Sequence, residues 1–227
     1  MVNYEHKRVA HPHYYNTLIY GSRLFLRHAR GGLVQTGNEN LEIEGGIVLG
    51  IEHKHIFDIQ TVAVAVYNAI GAQVHFMAKK ELFKRKLVAK ALSAGGAFPI
   101  DRSKKSLESE TINHMTEVGE AGGIIGTFPT GTRMKDDNLE EDDIKGATII
   151  IARKLNLPIV PVAHVGTAEH QEGGIGLAFG KPVPTGKQVD GMPQSLADIR
   201  HNLYESIVEA HAVAQELQLS ELARMQN

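Results

Sequence analysis

A histidine and an aspartate, His53 and Asp58, stand where an apolar run from Ile47 to Ile51 gives way to a segment of helical pattern. A strand ending at Ile51 and a helix starting near Asp58 put the imidazole at the mouth of a sheet and let the carboxylate fold back to its ring. Such a carboxylate fixes the tautomer and stabilises the imidazolium, which leaves Nε2 to take a proton from an attacking hydroxyl. The chain has no cysteine, so no thiol nucleophile competes for that role and no disulfide or cysteine-zinc site enters the reading.

The elements around this pair alternate. Residues 13 to 30 mix Leu18, Ile19, Leu24, Phe25 and Leu26 with Arg23, Arg27 and Arg30, the pattern of an amphipathic helix with excess positive charge. It suits a helix lying on a membrane surface and equally one packed on the domain with solvated arginines. Leu41 to Glu44, Ile47 to Ile51, Val74 to Ala78, Phe98 to Ile100, Gly123 to Phe128, Ile159 to Val165 and Leu177 to Phe179 read as strands. Ile59 to Ile70, Lys79 to Ala94, Ser106 to Ala121, Ile144 to Leu155 and Ser195 to about Leu217 read as helices, and Asp136 to Asp143 as an acidic loop. The alternation predicts one α/β domain with a largely parallel or mixed central sheet flanked by helices. Residues 1–30 form its N-terminal amphipathic helix and 31–227 the catalytic domain.

Three further segments accompany the strand ends: GAFPIDR at Gly96 to Arg102, FPTGTR at Phe128 to Arg133, and PIVPV at Pro158 to Val162. Arg102 and Arg133 each offer a fork of donors suited to phosphate oxygens, and Gly131 lets backbone approach an anion closely. Two arginines near one histidine point to a phosphorylated substrate.

These residues resemble the glycerolipid acyltransferase family, which includes the lysophosphatidic acid (1-acylglycerol-3-phosphate) acyltransferases, from about Gly46 to Gly166. The family's Asn-His-x-x-x-x-Asp block appears as Glu52, His53 and Asp58, and a second block ending in arginine appears as GAFPIDR. Its Phe-Pro-Glu-Gly-Thr-Arg block appears as FPTGTR, and an apolar run ending Val-Pro-Val as Ile159 to Val162. The resemblance implies that His53 is the general base and Asp58 its partner. It also implies that Arg102 and Arg133, with Gly131, Thr132 and Thr130, hold the acceptor phosphate. The implied reaction moves a fatty acyl group from a thioester, on acyl carrier protein or coenzyme A, to a lysophospholipid hydroxyl, with no metal or other cofactor.

The chain departs from the family pattern at three positions. Thr130 stands in place of glutamate and loses its charge and reach, so weaker activity or another acceptor is expected there. Glu52 stands in place of asparagine and either acts on the neighbouring imidazole or points into solvent. His55 stands where the family has a small polar residue. Two rivals follow: a catalytically impaired lipid-binding relative, and an acyltransferase for a different hydroxylated lipid.

Charge separates other function classes. A formal net charge of -2 argues against a generally nucleic-acid-binding protein. The run from Lys79 to Lys90 is locally basic, and Lys79, Lys80, Lys84, Arg85 and Lys86 are candidates to dock the acyl donor or an anionic membrane unless they are only a solvated helix face. No run approaches the roughly 20 apolar residues that span a bilayer, and the first residues do not resemble a secretory signal. The expected location is therefore the cytoplasm, peripheral on the inner face of the cell membrane.

Three other motifs fail on composition. Gly126 to Arg133 has phosphate-loop glycine spacing but Thr132 where lysine is required. His53, His55 and Asp58 offer too few ligands, wrongly spaced, for a binuclear metal site, and the acidic loop lacks the glycine-containing spacing of a calcium-binding EF-hand. Of twelve histidines, most, including His201 and His211, read as surface residues.

Overall fold

Ile47–Ile51 carries no polar side chain, and such a strand is stable only where both faces are covered. In the computed structural model, which describes residues 12–101, 109–134, 138–167, 174–189 and 191–226, it is the central strand of a seven-stranded sheet. The chain runs α1 (Pro12–Arg30), β1 (Leu33–Thr36), β2 (Ile47–Ile51), α2 (Asp58–Ile70), β3 (Val74–Lys79), α3 (Lys86–Ala94), β4 (Phe98–Ile100), α4 (Ser109–Glu120), β5 (Ile124–Thr127), α5 (Gly146–Leu155), β6 (Ile159–Val165), β7 (Ile175–Phe179), β8 (Gln188–Val189), β9 (Met192–Pro193) and α6 (Leu196–Met225). The sheet order is β1-β7-β6-β2-β5-β3-β4, with β8 and β9 forming a separate small ribbon. Only the β6–β7 pairing is antiparallel among the six in the large sheet.

Helices cover both faces. The side chains of Ile47, Leu49 and Ile51 alternate towards a core shared with Val62, Val66, Val74, Val160 and Val162, whereas Val48 faces the opposite core of Met115, Ile149, Ile159, Leu203 and Ile207. The helix α1 packs Tyr15, Ile19 and Leu26 against Val64 and Ile175, while Tyr14, Leu18, Tyr20 and Leu24 are exposed. Among the described residues, no helix is long and apolar enough to cross a membrane.

The long helix α6 begins with a reciprocal cap: Asp198 N–H donates to Ser195 Oγ and Ser195 N–H to Asp198 Oδ2. It lies unusually close to the sheet along a seam of Ala163, Ala178, Ala210 and Ala214. A Cβ on Gly176 would sit 2.1 Å from the Ala214 carbonyl oxygen, so glycine is what lets the helix approach β7.

Three sequence expectations change. Leu41 to Glu44 is not a strand: a 3₁₀ turn spans Asn38–Leu41, held by Asn40 Nδ2 donating to the Phe179 carbonyl and by the burial of Leu41. The helix expected from Lys79 to Ala94 is broken. Lys79 ends β3, a 3₁₀ turn covers Lys80–Lys84, and Arg85 is extended before α3. A continuous helix would have stacked Lys80 on Lys84 and crowded Lys84, Arg85 and Lys86 into one turn of like charge. Leu33–Thr36, not recognised from sequence, pairs with β7 as an edge strand. The acidic segment folds at Glu141–Asp143 into a 3₁₀ turn; Asp136, Asp137 and the expected helix start from Ser106 to Glu108 lie outside the described residues.

At the sheet's far end, His75 and His114 line a cavity of about 350 Å³ together with Lys80 and Glu110. Burial, with the charge of His114 added, pushes the His75 imidazole from 6.5 down to about 4. The unfolded chain then binds this proton more tightly than the folded one. The stabilisation is complete above pH 6.5 and is lost as pH falls towards 4, by on the order of 3 kcal/mol. Urea unfolding of wild type and His75→Phe across this range should show a steeper acid loss for wild type; parallel curves would refute the assignment.

Candidate active site

Three parallel neighbours, β5, β2 and β6, end at the same edge of the sheet, where open α/β sheets place their ligands. The segments that follow them carry the site. After β2 the chain turns through Glu52 to Phe57 and enters α2 at Asp58. Asp58 is fully buried, and its Oδ2 accepts from the backbone N–H of Lys54 and of His55, both at 2.7 Å. The same oxygen lies 3.0 Å from His53 Nδ1. A carboxylate at that position requires the proton on Nδ1, which leaves the Nε2 lone pair as the basic site.

The His53 ring is half-buried and stacks on Phe128, with centroids 4.1 Å apart and planes inclined by 27°. Phe128 opens the segment after β5, so sequence-distant residues fix the imidazole plane. That segment turns tightly. The Gly131 N–H donates to the Phe128 carbonyl at 2.9 Å and Gly131 adopts a φ of 70°, a conformation that costs glycine little. Thr130 is buried and its Oγ1 donates to the Thr132 carbonyl at 2.7 Å. Gly131, Thr132 and Arg133 are exposed. Beyond them, Met134 N–H donates to the His53 carbonyl at 2.7 Å, which ties this turn to the histidine's own backbone.

His53, Asp58 and the Thr130–Arg133 turn thus meet at one edge. Arg102 lies outside the described residues. The strand before it, β4, is three places from β2, a lateral separation of roughly 14 Å. Ile159 to Val162 lies within β6, the strand read from the sequence, and leads to the residues that follow it. Lys79, Lys80, Lys84, Arg85 and Lys86 are all exposed, with Leu82, Leu87 and Val88 also exposed among them.

Several participants were invisible from sequence. Asp58 Oδ1 accepts from Thr167 Oγ1 at 3.0 Å, and His164 Nε2 lies 3.6 Å from the same oxygen. Both residues follow the apolar run of β6 and are fully buried or nearly so. Glu52 does not reach solvent: it is 3% exposed, and its Oε2 lies 3.0 Å from His211 Nδ1 and 3.6 Å from Lys54 Nζ. His211 is therefore not a free surface histidine. A polar residue inside an otherwise apolar strand was the available signal for His164, and one just past its end for Thr167; none marked His211, which comes from α6. His55 has a local role, with its ring against Phe57 and its Nδ1 accepting the Phe57 N–H at 3.4 Å.

The charge states follow from these contacts. Burial raises the Asp58 carboxyl, but the His53 hydrogen bond and the two loop N–H groups together hold it below the ordinary carboxylate range. Burial likewise opposes ionisation of Glu52, and His211 and Lys54 overcome it, so that group too lies below its ordinary value. His164 is pushed down by its complete burial and is neutral. Among the described residues there is no cluster of three or more potential metal ligands.

The Thr130 hydroxyl closes the turn, so Thr130→Val should lower stability by about 1 kcal/mol. Chemical denaturation checks this; an unchanged midpoint would mean that the bond contributes nothing.

Comparison with known proteins identifies relatives of this chain. Residues 33–165 match the family model described as Acyltransferase. The chain is 33% identical over 158 residues to the 1-acyl-sn-glycerol-3-phosphate acyltransferase of Bacillus subtilis strain 168, covering 68% of this chain and 75% of that protein. It is 34% identical over 105 residues to the Streptococcus pneumoniae protein of the same name, covering 44% of this chain and 37% of that one. The solved structure of the 1-acyl-sn-glycerophosphate (LPA) acyltransferase PlsC from Thermotoga maritima superimposes with a TM-score of 0.66 at 20% identity, covering 90% of this chain and 79% of that one, and shares the fold.

Proposed function

The chain belongs to the acyltransferase family of enzymes similar to 1-acylglycerol-3-phosphate acyltransferase, and from that premise we propose that it transfers a fatty acyl group from a thioester to the free hydroxyl of 1-acylglycerol-3-phosphate, with His53 as general base. The observation that carries this reading is the 3.0 Å contact between His53 Nδ1 and buried Asp58, at a strand end shared with the FPTGTR turn.

His53 Nε2 takes the acceptor's hydroxyl proton as its oxygen attacks the thioester carbonyl. Asp58 stabilises the imidazolium that forms. Collapse of the tetrahedral intermediate breaks the carbon–sulfur bond, and the departing thiolate takes the proton back from His53, so no metal or redox partner is needed. Arg133 and Arg102 are assigned the acceptor phosphate, with Gly131, Thr132 and Thr130 shaping its pocket. Thr130 supports a second reading within the same chemistry. Its hydroxyl is committed to the Thr132 carbonyl, so an acceptor other than lysophosphatidic acid fits a site without the usual carboxylate.

The donor, acyl carrier protein or acyl-coenzyme A, is acidic, and the exposed Lys79, Lys80, Lys84, Arg85 and Lys86 are suited to attract it or an anionic membrane surface. Exposed Tyr14, Leu18, Tyr20 and Leu24 on α1 would complete a peripheral attachment to the inner face of the cell membrane.

Thiol release from an acyl thioester, measured with a panel of lysolipids, tests the chemistry. His53→Ala should lower the rate by about 10²- to 10⁴-fold; turnover that survives the substitution rejects the base. Reversing charge at Lys84, Arg85 and Lys86 should raise the donor Michaelis constant more than it alters folding, and this effect should shrink with added salt. Unchanged donor kinetics would remove the docking role.

A further inference from the structure

Asp58 is held on both oxygens, but by different parts of the chain. Oδ2 receives two N–H groups of its own loop and faces His53. The donors to Oδ1 come from β6 and the residues just after it. Thr167 Oγ1 lies 3.0 Å away, with His164 beside it at 3.6 Å. The tautomer of His164 follows from its surroundings. Its Nε2 faces the Glu52 carbonyl at 3.2 Å and Asp58 Oδ1, both acceptors only, so Nε2 carries the hydrogen. Its Nδ1 lies 3.5 Å from Thr167 Oγ1.

The second carboxylate fastens this arrangement from the other side of the sheet. Strand alternation directs Glu52, like Val48 and Gly50, towards the α6 layer. There Oε2 accepts the His164 backbone N–H at 3.3 Å and contacts His211 of α6 at 3.0 Å. Lys54 Nζ stands 3.6 Å from Glu52 and 3.2 Å from His211 Nδ1. The close seam of Ala163, Ala178, Ala210 and Ala214, opened by Gly176, is what brings His211 within reach. A continuous polar chain therefore runs from α6 through Glu52, His164 and Thr167 to Asp58 and His53.

We propose that Thr167 and His164 are positioning residues for the His53–Asp58 pair, and that Glu52, anchored on His211, holds β6 in the place from which they act. The inference rests on the reading of His53 as base. A carboxylate gripped on one oxygen alone can pivot about that grip. The hydroxyl on the other oxygen removes the pivot and fixes the plane in which the imidazole receives its partner. This is geometric control of the base, since neither Thr167 nor His164 touches the reacting atoms.

Thr167→Val keeps the shape and removes the hydroxyl, and Thr167→Ser restores it. In the full chain, Thr167→Val should lower kcat by roughly 10- to 100-fold, since small misplacements of a catalytic group cost this much. The acceptor KM should stay within about twofold, and Thr167→Ser should recover most of kcat. A packing role alone predicts a loss matching the unfolded fraction, with no recovery by serine; that result, or an unchanged kcat, overturns the proposal. His53→Ala, assayed alongside, separates the two claims. If it remains active the base assignment fails, whereas an inactive His53→Ala beside a fully active Thr167→Val sinks only the positioning role. Ring ¹⁵N spectra of His53, assigned by their loss in His53→Ala, give a readout free of substrate. Wild type should show the Nδ1–H form, and Thr167→Val a mixture of tautomers; an unmixed spectrum in the variant overturns the proposal.

Discussion

A carboxylate with no solvent exposure governs this edge of the molecule. Removing an ionised group from water costs several kcal/mol unless hydrogen bonds replace its hydration, and Asp58 is surrounded by such replacements: two loop N–H groups, the Thr167 hydroxyl and the His53 ring. These partners belong to two segments separated by more than a hundred positions in the chain. They meet only because β2 and β6 pair in parallel with Val48 opposite Ile159. Slipping that register by one residue would turn His164 and Thr167 away. The charge on Asp58 and the order of the strands are thus one requirement.

The same requirement explains why both helix layers matter to a site that sits on neither. α2 begins at Asp58, so the carboxylate also lies in the favourable field of a helix N-terminus. On the other face, α6 can contribute His211 only because small residues let its backbone come close to β6 and β7. Glu52, where an asparagine would be usual for a sequence of this kind, is then a second buried charge, neutralised by Lys54 and hydrogen-bonded to His211 rather than aimed at His53. The acyltransferase edge is built around two buried carboxylates, each with its own partners.

How much of this was legible depends on how local the determinant was. Ile47–Ile51, Phe98–Ile100 and Ile159–Val165 are strands with the bounds read from sequence, because short segments rich in Ile, Val and Phe between glycines or polar turns leave few alternatives. The approach of His53 to Asp58 was also legible, since a strand, a short loop and a helix start suffice to bring them together. Leu41 to Glu44 was misread because its apolar pattern was short, and a single buried leucine with an asparagine bond to Phe179 decided for a turn. Leu33–Thr36 escaped because an edge strand is defined by its partner and not by its own residues.

The sequence by itself determined the chemistry on offer: a histidine and an aspartate at fixed spacing, a turn of threonines, glycine and arginine, and an alternation of strands and helices that puts them at strand ends. Those are consequences of residue type and of neighbours within a few positions. Only the tertiary structure decided that His211 leaves the surface for Glu52, that His164 stays neutral between two carboxylate-bearing segments, and that Thr167 completes the hold on Asp58. Each of these contacts joins residues more than a hundred positions apart, and no local pattern encodes a distance that strand order and helix packing must first create.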